Sequence, residues 1–275
     1  MFRGTRLQKT VRITAKILIF LGVFSFVFGN LVHNQTFLET KTAEASIGGA
    51  YATRLWSSGF ELQSVTAGME YTNTVTNAPA IDTTTKRSGA ASLRTNASAQ
   101  IKGAEYDWAT ADNATRTTYR AYIRIASAPA AETGIMAFFD VGNTKQISVR
   151  MNTDRTLELW NEEDTAQIGS ASTALATDTW YRVELQHDFG TAATGDSLAK
   201  ARLNGVEFAS STTQNLANGS MTFQWGVLTS TTADFYWDDL AVNQDVAGAT
   251  VNNWVGEGKI VHLKPNGEGD QKAWT

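Results

Sequence analysis

Two acids stand two residues apart in Glu105-Tyr106-Asp107, and in an extended strand that spacing projects both carboxylates from one face. Paired carboxyl groups on one face can flank a glycosidic bond, which is the arrangement of acid and base or nucleophile that glycoside cleavage needs. Glu61 and the pair Asp238-Asp239 form a second acidic set near the two ends of the strand-rich region. Their oxygens suit a hard cation, so they are the candidate calcium ligands. Asp238 and Asp239 point to opposite faces of an unbent strand, and only a bulge brings both to one ion. A third set joins flat rings to polar groups: Tyr122, Trp160 and Trp180 with Arg124, Arg150, Asn152 and Glu184. All three rings fall on the polar parity of their strands, where they would serve as apolar platforms for sugar rings while amides and charges read the hydroxyls.

Other chemistries find no support in the sequence. The chain has 0 Cys, which removes thiolate metal sites, cysteine nucleophiles and disulfides. Its 3 His, His33, His187 and His262, are far apart and lack the spacing of zinc ligands. No Gly-x-Ser-x-Gly elbow and no phosphate-cradling loop is present. Of the 23 Lys and Arg, 6 lie in residues 1–45 against 2 of the 27 acids, which leaves the remainder at a formal −8. A body of that charge gives no electrostatic reason to expect a nucleic-acid partner.

The elements that would carry these groups read as strands. Tyr119, Ala121, Ile123 and Ile125 alternate with Thr118, Arg120, Tyr122 and Arg124; Ile147, Val149 and Met151 with Ser148, Arg150 and Asn152; Tyr181, Val183 and Leu185 with Arg182, Glu184 and Gln186. Period two over such runs predicts strands with one face in a core. Met221, Phe223, Trp225 and Val227 continue the pattern. Asn204-Gly205, between Ala201-Arg202-Leu203 and Val206-Glu207-Phe208, supplies the two positive φ angles of a type I′ hairpin. Further breaks at Val141-Gly142-Asn143, Asn152-Thr153-Asp154 and Asp188-Phe189-Gly190 recur at the interval of a β-sandwich or barrel.

Residues 1–45 read as an address: a basic stretch, then the apolar run 17–32, which predicts a signal peptide or a membrane anchor. The small-x-small triplet Ala43-Glu44-Ala45 offers a cleavage site. Export, and contact with a membrane only through this segment, are the corresponding expectations. Residues 46–243 are assigned to the sandwich and 244–275 to a linker or the start of further β-structure.

Three stretches resemble the concanavalin A-like lectin and glucanase superfamily, especially its laminin G-like bacterial and phage versions. They are Trp56–Leu62 with Ser88-Gly89-Ala90-Ala91-Ser92-Leu93-Arg94, then Thr179–Leu185 with Leu203-Asn204-Gly205-Val206, then Phe235–Val242. The resemblance spans residues 54–243. It implies an all-β, two-sheet antiparallel jelly roll, and it makes Trp180 a structural residue of the hairpin region as an alternative to a sugar platform. Glucanases of the superfamily carry Glu-x-Asp-x-x-Glu on one strand; Glu105 and Asp107 match its first two acids, but Thr110 stands at the third, so the catalytic pair is incomplete. The expectation is therefore a non-catalytic extracytoplasmic module that binds a polysaccharide or mediates adhesion. It has no required cofactor, with calcium in a structural role. A glycoside hydrolase or lyase, and a purely structural surface or virion-like module, are the alternatives.

Overall fold

The computed structural model describes residues 53–112, 116–140, 142–188, 195–216, 220–244 and 254–261. The expectations for residues 1–45, together with His33 and His262, fall outside them, as does the side chain of Thr110. Every described residue lies within one unit, Ala50–Thr275. No helix among the described residues is long and apolar enough to cross a membrane.

The described chain is all β. Its strands are β1 (Thr53–Ser58), β2 (Asn73–Val75), β3 (Ala80–Asp82), β4 (Ser92–Asp112), β5 (Arg116–Ser127), β6 (Thr133–Asp140) and β7 (Lys145–Met151). They continue as β8 (Leu157–Asn161), β9 (Ala166–Ile168), β10 (Trp180–Asp188), β11 (Ser197–Leu203), β12 (Val206–Gln214) and β13 (Ser220–Gln244). Every pairing is antiparallel, and the order runs β12-β11-β10-β5-β13-β6-β7-β8-β9, with β1 and β4 on β13 and with β2 and β3 on β4.

Two sheets were expected; one continuous sheet is found, folded over into two layers by β4 and β13. Residues Asp234–Gln244 of β13 pair with β5 in the first layer, while Ser220–Trp225 pair with β6 in the second. The fold-over lies where the β4–β13 register shifts between Val227 and Ala233. Gly226 there has φ +138°, and a Cβ on it would lie 2.5 Å from the carbonyl oxygen of Lys102 and 2.6 Å from Gly103 Cα. A glycine with no side chain is what lets the two long strands approach so closely. At the far edge the layers meet again through Asn161 Nδ2, which donates to Gln214 Oε1 at 3.0 Å.

The inward parity of both layers fills one core. Tyr119, Ile123, Val183 and Leu185 of the first layer join Phe138, Ile147, Val149 and Leu159 of the second, all with no exposed surface. The rings interlock across the layers: Tyr119 lies 4.8 Å from Phe223, and His187 stacks on Phe138 at 3.9 Å. This packing commits the opposite parity of each layer to the outside, and so creates two separate polar faces. The hairpin forms as expected, with Asn204 at φ +51° and Gly205 at +85°.

Candidate functional site

The polar face of the first layer gathers the densest set of charged and aromatic groups. Because opposite residues of antiparallel neighbours share a face, three rows of side chains can be read off the register. Arg94, Tyr236, Arg124 and Trp180 form the first; Asp238, Tyr122 and Arg182 the second; Arg120, Glu184 and Arg202 the third. Arginine dominates these rows, and its forked guanidinium is suited to binding carboxylates in two-point fashion.

Tyr122 sits at the centre. The Arg87 guanidinium, from the loop before β4, covers its ring at 3.4 Å, and Arg120 lies 5.7 Å from the ring centre. Its phenol donates to Glu257 Oε2 at 2.7 Å. The carboxylate it meets is also 2.5 Å from Arg182 Nη1 and 3.5 Å from Arg87 Nη2. Burial and the hydrogen bond to Glu257 raise the phenol's pKa, while Arg87 and Arg182 oppose that rise. The Tyr122 hydrogen bond, with Arg182, Arg87 and Arg120 nearby, holds the Glu257 carboxyl below its ordinary value. Burial and the neighbouring Arg54 lower the pKa of Arg120 as well, as crowded cations require.

The local fold positions each of these groups. The hairpin tip receives Arg182: its backbone N–H donates to Asn204 Oδ1 at 2.9 Å, and a Cβ on Gly205 would lie 2.6 Å from its Nη2. Glu184 Oε2 accepts from Arg182 Nε at 3.1 Å. Asp239, which has a positive φ of 51° in a bulge of β13, turns its carboxylate to pair with Arg87 and to accept from Ser88 Oγ at 2.8 Å. The bulge thus does bring Asp238 and Asp239 into one region.

Both carboxylates are filled there by protein donors. Asp238 Oδ2 accepts the backbone N–H of Arg87 and of Ser88, at 2.8 and 3.1 Å. Glu61 instead accepts the N–H of Ala90 at 2.9 Å. Glu61, Asp238 and Asp239 therefore hold the Arg87–Ala90 loop against the sheet. Among the described residues, no group of three or more potential ligands could hold a metal.

The expected sugar platform is divided between the two faces. Tyr122, Arg124, Trp180 and Glu184 lie on the first layer, but Trp160, Arg150 and Asn152 lie on the outer face of the second. The alternation was read correctly in each strand, and what it could not show is which layer each strand joins. On the second face Arg150 lies over the Trp160 ring at 4.0 Å and pairs with Glu162 and Glu132 at 2.8 Å each. Asn152 donates to Glu158 Oε1 at 2.8 Å, and Trp160 Nε1 to Glu158 Oε2 at 2.8 Å. Glu105 and Asp107 share that layer, where Gln224 Nε2 donates to Glu105 at 2.8 Å and Thr222 Oγ1 to Asp107 at 2.5 Å. They lie apart from Tyr122 and its arginines.

Sequence reasoning missed Arg87, Arg120, Arg182 and Glu257. Arg120 and Arg182 share the parity of Tyr122 and Glu184 and were within its reach. Arg87 sits in a loop and Glu257 beyond the last strand, where no periodicity marks them.

No family model and no curated protein matches the chain. Solved structures do share its fold. A cellulose-induced protein, Cip1, is 16% identical with a TM-score of 0.52, covering 74% of this chain and 99% of that one. An endo-β-1,4-glucuronan lyase from the fungus Trichoderma reesei is 12% identical with a TM-score of 0.50, covering 72% and 98%. These likenesses are of fold. They also overturn the expectation of a non-catalytic module, because nearly the whole length of a polysaccharide lyase shares this fold.

Proposed function

We propose that the protein is a carbohydrate-active enzyme of the polysaccharide lyase type, whose polar first-layer face takes an acidic polysaccharide. The observation that carries this reading is the Tyr122 phenol, hydrogen-bonded to a carboxylate that Arg182 and Arg87 also grip.

Elimination at a uronic acid removes the proton on the carbon next to the carboxylate and expels the sugar oxygen at the adjacent position. That proton is weakly acidic, and cations against the carboxylate stabilise the negative charge that develops as it leaves. Arg182 and Arg87 are placed for this role. Tyr122 is placed to serve both proton transfers: its phenolate takes the proton from carbon, the C–H electron pair becomes the new double bond as the C–O bond breaks, and the phenol so formed gives that proton to the departing oxygen. Arg87 and Arg182 counter the burial that raises its pKa. Trp180 extends the face beside Arg124 as a surface for a neighbouring sugar ring. The fold shared with a glucuronan lyase supports the same reading.

Incubation with glucuronan and with alginate, followed by the ultraviolet absorbance of the unsaturated product, tests it. New reducing ends with matching absorbance support elimination. Reducing ends without absorbance would replace it with hydrolysis, and intact polymer in both cases would overturn it.

A further inference from the structure

The charged side chains of the first-layer face are buried although they point away from the core: Arg120 is 2% exposed, Arg182 7% and Glu184 1%. Trp254–Val261 lies over this face and is bonded to it along its length. Trp254 stacks under Arg202 at 4.0 Å, Gly256 N–H donates to Glu184 Oε1 at 2.7 Å, and Arg120 Nη1 donates to the Gly256 carbonyl at 3.0 Å. Arg87 Nη1 donates to the Gly258 carbonyl at 2.8 Å, and Ile260 N–H to Asp239 Oδ1 at 2.5 Å. Close packing fixes its path, since a Cβ on Gly59 would lie 2.6 Å from the Ile260 carbonyl oxygen.

The segment's carboxylate is at the functional centre. Glu257 reaches Tyr122, Arg182 and Arg87, yet its side chain is 74% exposed. A side chain that is mostly in water but touches three functional groups covers a site whose own groups are built to hold a carboxylate.

We propose that Trp254–Val261 is a strap that closes the site in cis, with Glu257 standing where the carboxylate of a uronate ligand binds. This rests on the acidic-polysaccharide reading above and adds to it the position of the ligand's carboxylate and the device that blocks it. Two cations match the charge of one carboxylate, so ligand and Glu257 exclude each other. A tethered competitor acts at a high effective concentration, so the intact chain binds substrate more weakly than its site allows.

The test uses the full chain and a tetrasaccharide of β-1,4-linked glucuronic acid, titrated calorimetrically. Glu257→Gln keeps the shape of the side chain and removes its charge, whereas Gly59→Ala pushes the strap through Ile260 without touching the charged groups. Both variants are expected to bind about tenfold more tightly than the wild type, and a neutral cello-tetraose is expected to gain nothing. In wild-type protein, saturating tetrasaccharide is expected to speed hydrogen exchange at the Gly256 and Ile260 amides as the strap leaves.

Unchanged or weaker binding in both variants would overturn the strap, as would slower exchange at those amides on ligand binding. Tighter binding with no unsaturated product from any variant would keep the strap and remove the lyase reading. Equal product formation by wild type and both variants would keep the lyase and remove the strap.

Discussion

In the proposed elimination, Tyr122 is the residue on which the chemistry turns. Arg87 and Arg120 approach its ring and its oxygen faces a carboxylate, so removing that oxygen deletes a proton donor and acceptor and little packing. Tyr122→Phe is therefore expected to lower elimination on uronate polymers by about 10²-fold or more while leaving the thermal midpoint close to wild type. Measurement of both on the same preparation checks this, and a fall in activity matched by a fall in midpoint would assign Tyr122 to the fold instead. Arg182→Lys keeps the charge but loses the fork that bonds Glu184 and reaches Glu257. Its expected effect is a higher KM for uronate oligomers, by about tenfold, which steady-state kinetics reads directly. Among these residues Tyr122 was visible in the sequence as a ring on polar parity. Its role was not, because two of the arginines that define it, Arg87 and Arg182, come from a distant loop and from another strand.

At the scale of elements, the strands were legible and their assembly was not. Alternation located β5, β7 and β10 to within a few residues, since a strand with one buried face writes its period directly into the sequence. Asn204-Gly205 fixed its hairpin for an equally local reason. The continuity of β4 and β13 through both layers left no such mark: Phe235–Val242 and Met221–Val227 read as separate strands, and only Gly226 betrays how one becomes the other. An alanine there meets backbone atoms of Lys102 and Gly103 in the neighbouring strand and must also adopt φ +138°. Gly226→Ala is expected to cost about 2–4 kcal/mol of folding stability, for both reasons together. Urea unfolding of the variant reads that cost, and a change below about 0.5 kcal/mol would mean that the fold-over relaxes without strain. The division of Trp160, Arg150 and Asn152 from Tyr122, Arg124, Trp180 and Glu184 has the same origin, because parity is a local signal and layer membership is set by pairings more than a hundred residues apart.

For the whole molecule, the joint between the layers sets how stability responds to pH. His187 of the first layer stacks on Phe138 of the second, fully buried, and burial pushes its pKa down to about 3. The unfolded chain takes up a proton at this imidazole below its ordinary value near 6.5, and the folded chain does not until far lower pH. Stability from this group is thus complete above about pH 6.5 and falls as the pH drops toward 3, by up to about 1.4 kcal/mol per unit. Asp238 works in the opposite sense. Its burial and the adjacent Asp239 push its pKa up to about 7, against the backbone N–H groups that hold it down, so the folded chain binds this proton first and acidification from pH 7 toward 4 is stabilising. The two effects partly cancel in the wild type, and a variant separates them. His187→Phe keeps an aromatic ring against Phe138 and removes the proton site. The stability difference between wild type and variant, measured by urea unfolding, is expected to shift by about 2 kcal/mol in the variant's favour between pH 7 and pH 5. A pH-independent difference would show that His187 is protonated within the folded core, and that the contact between the layers admits a charge.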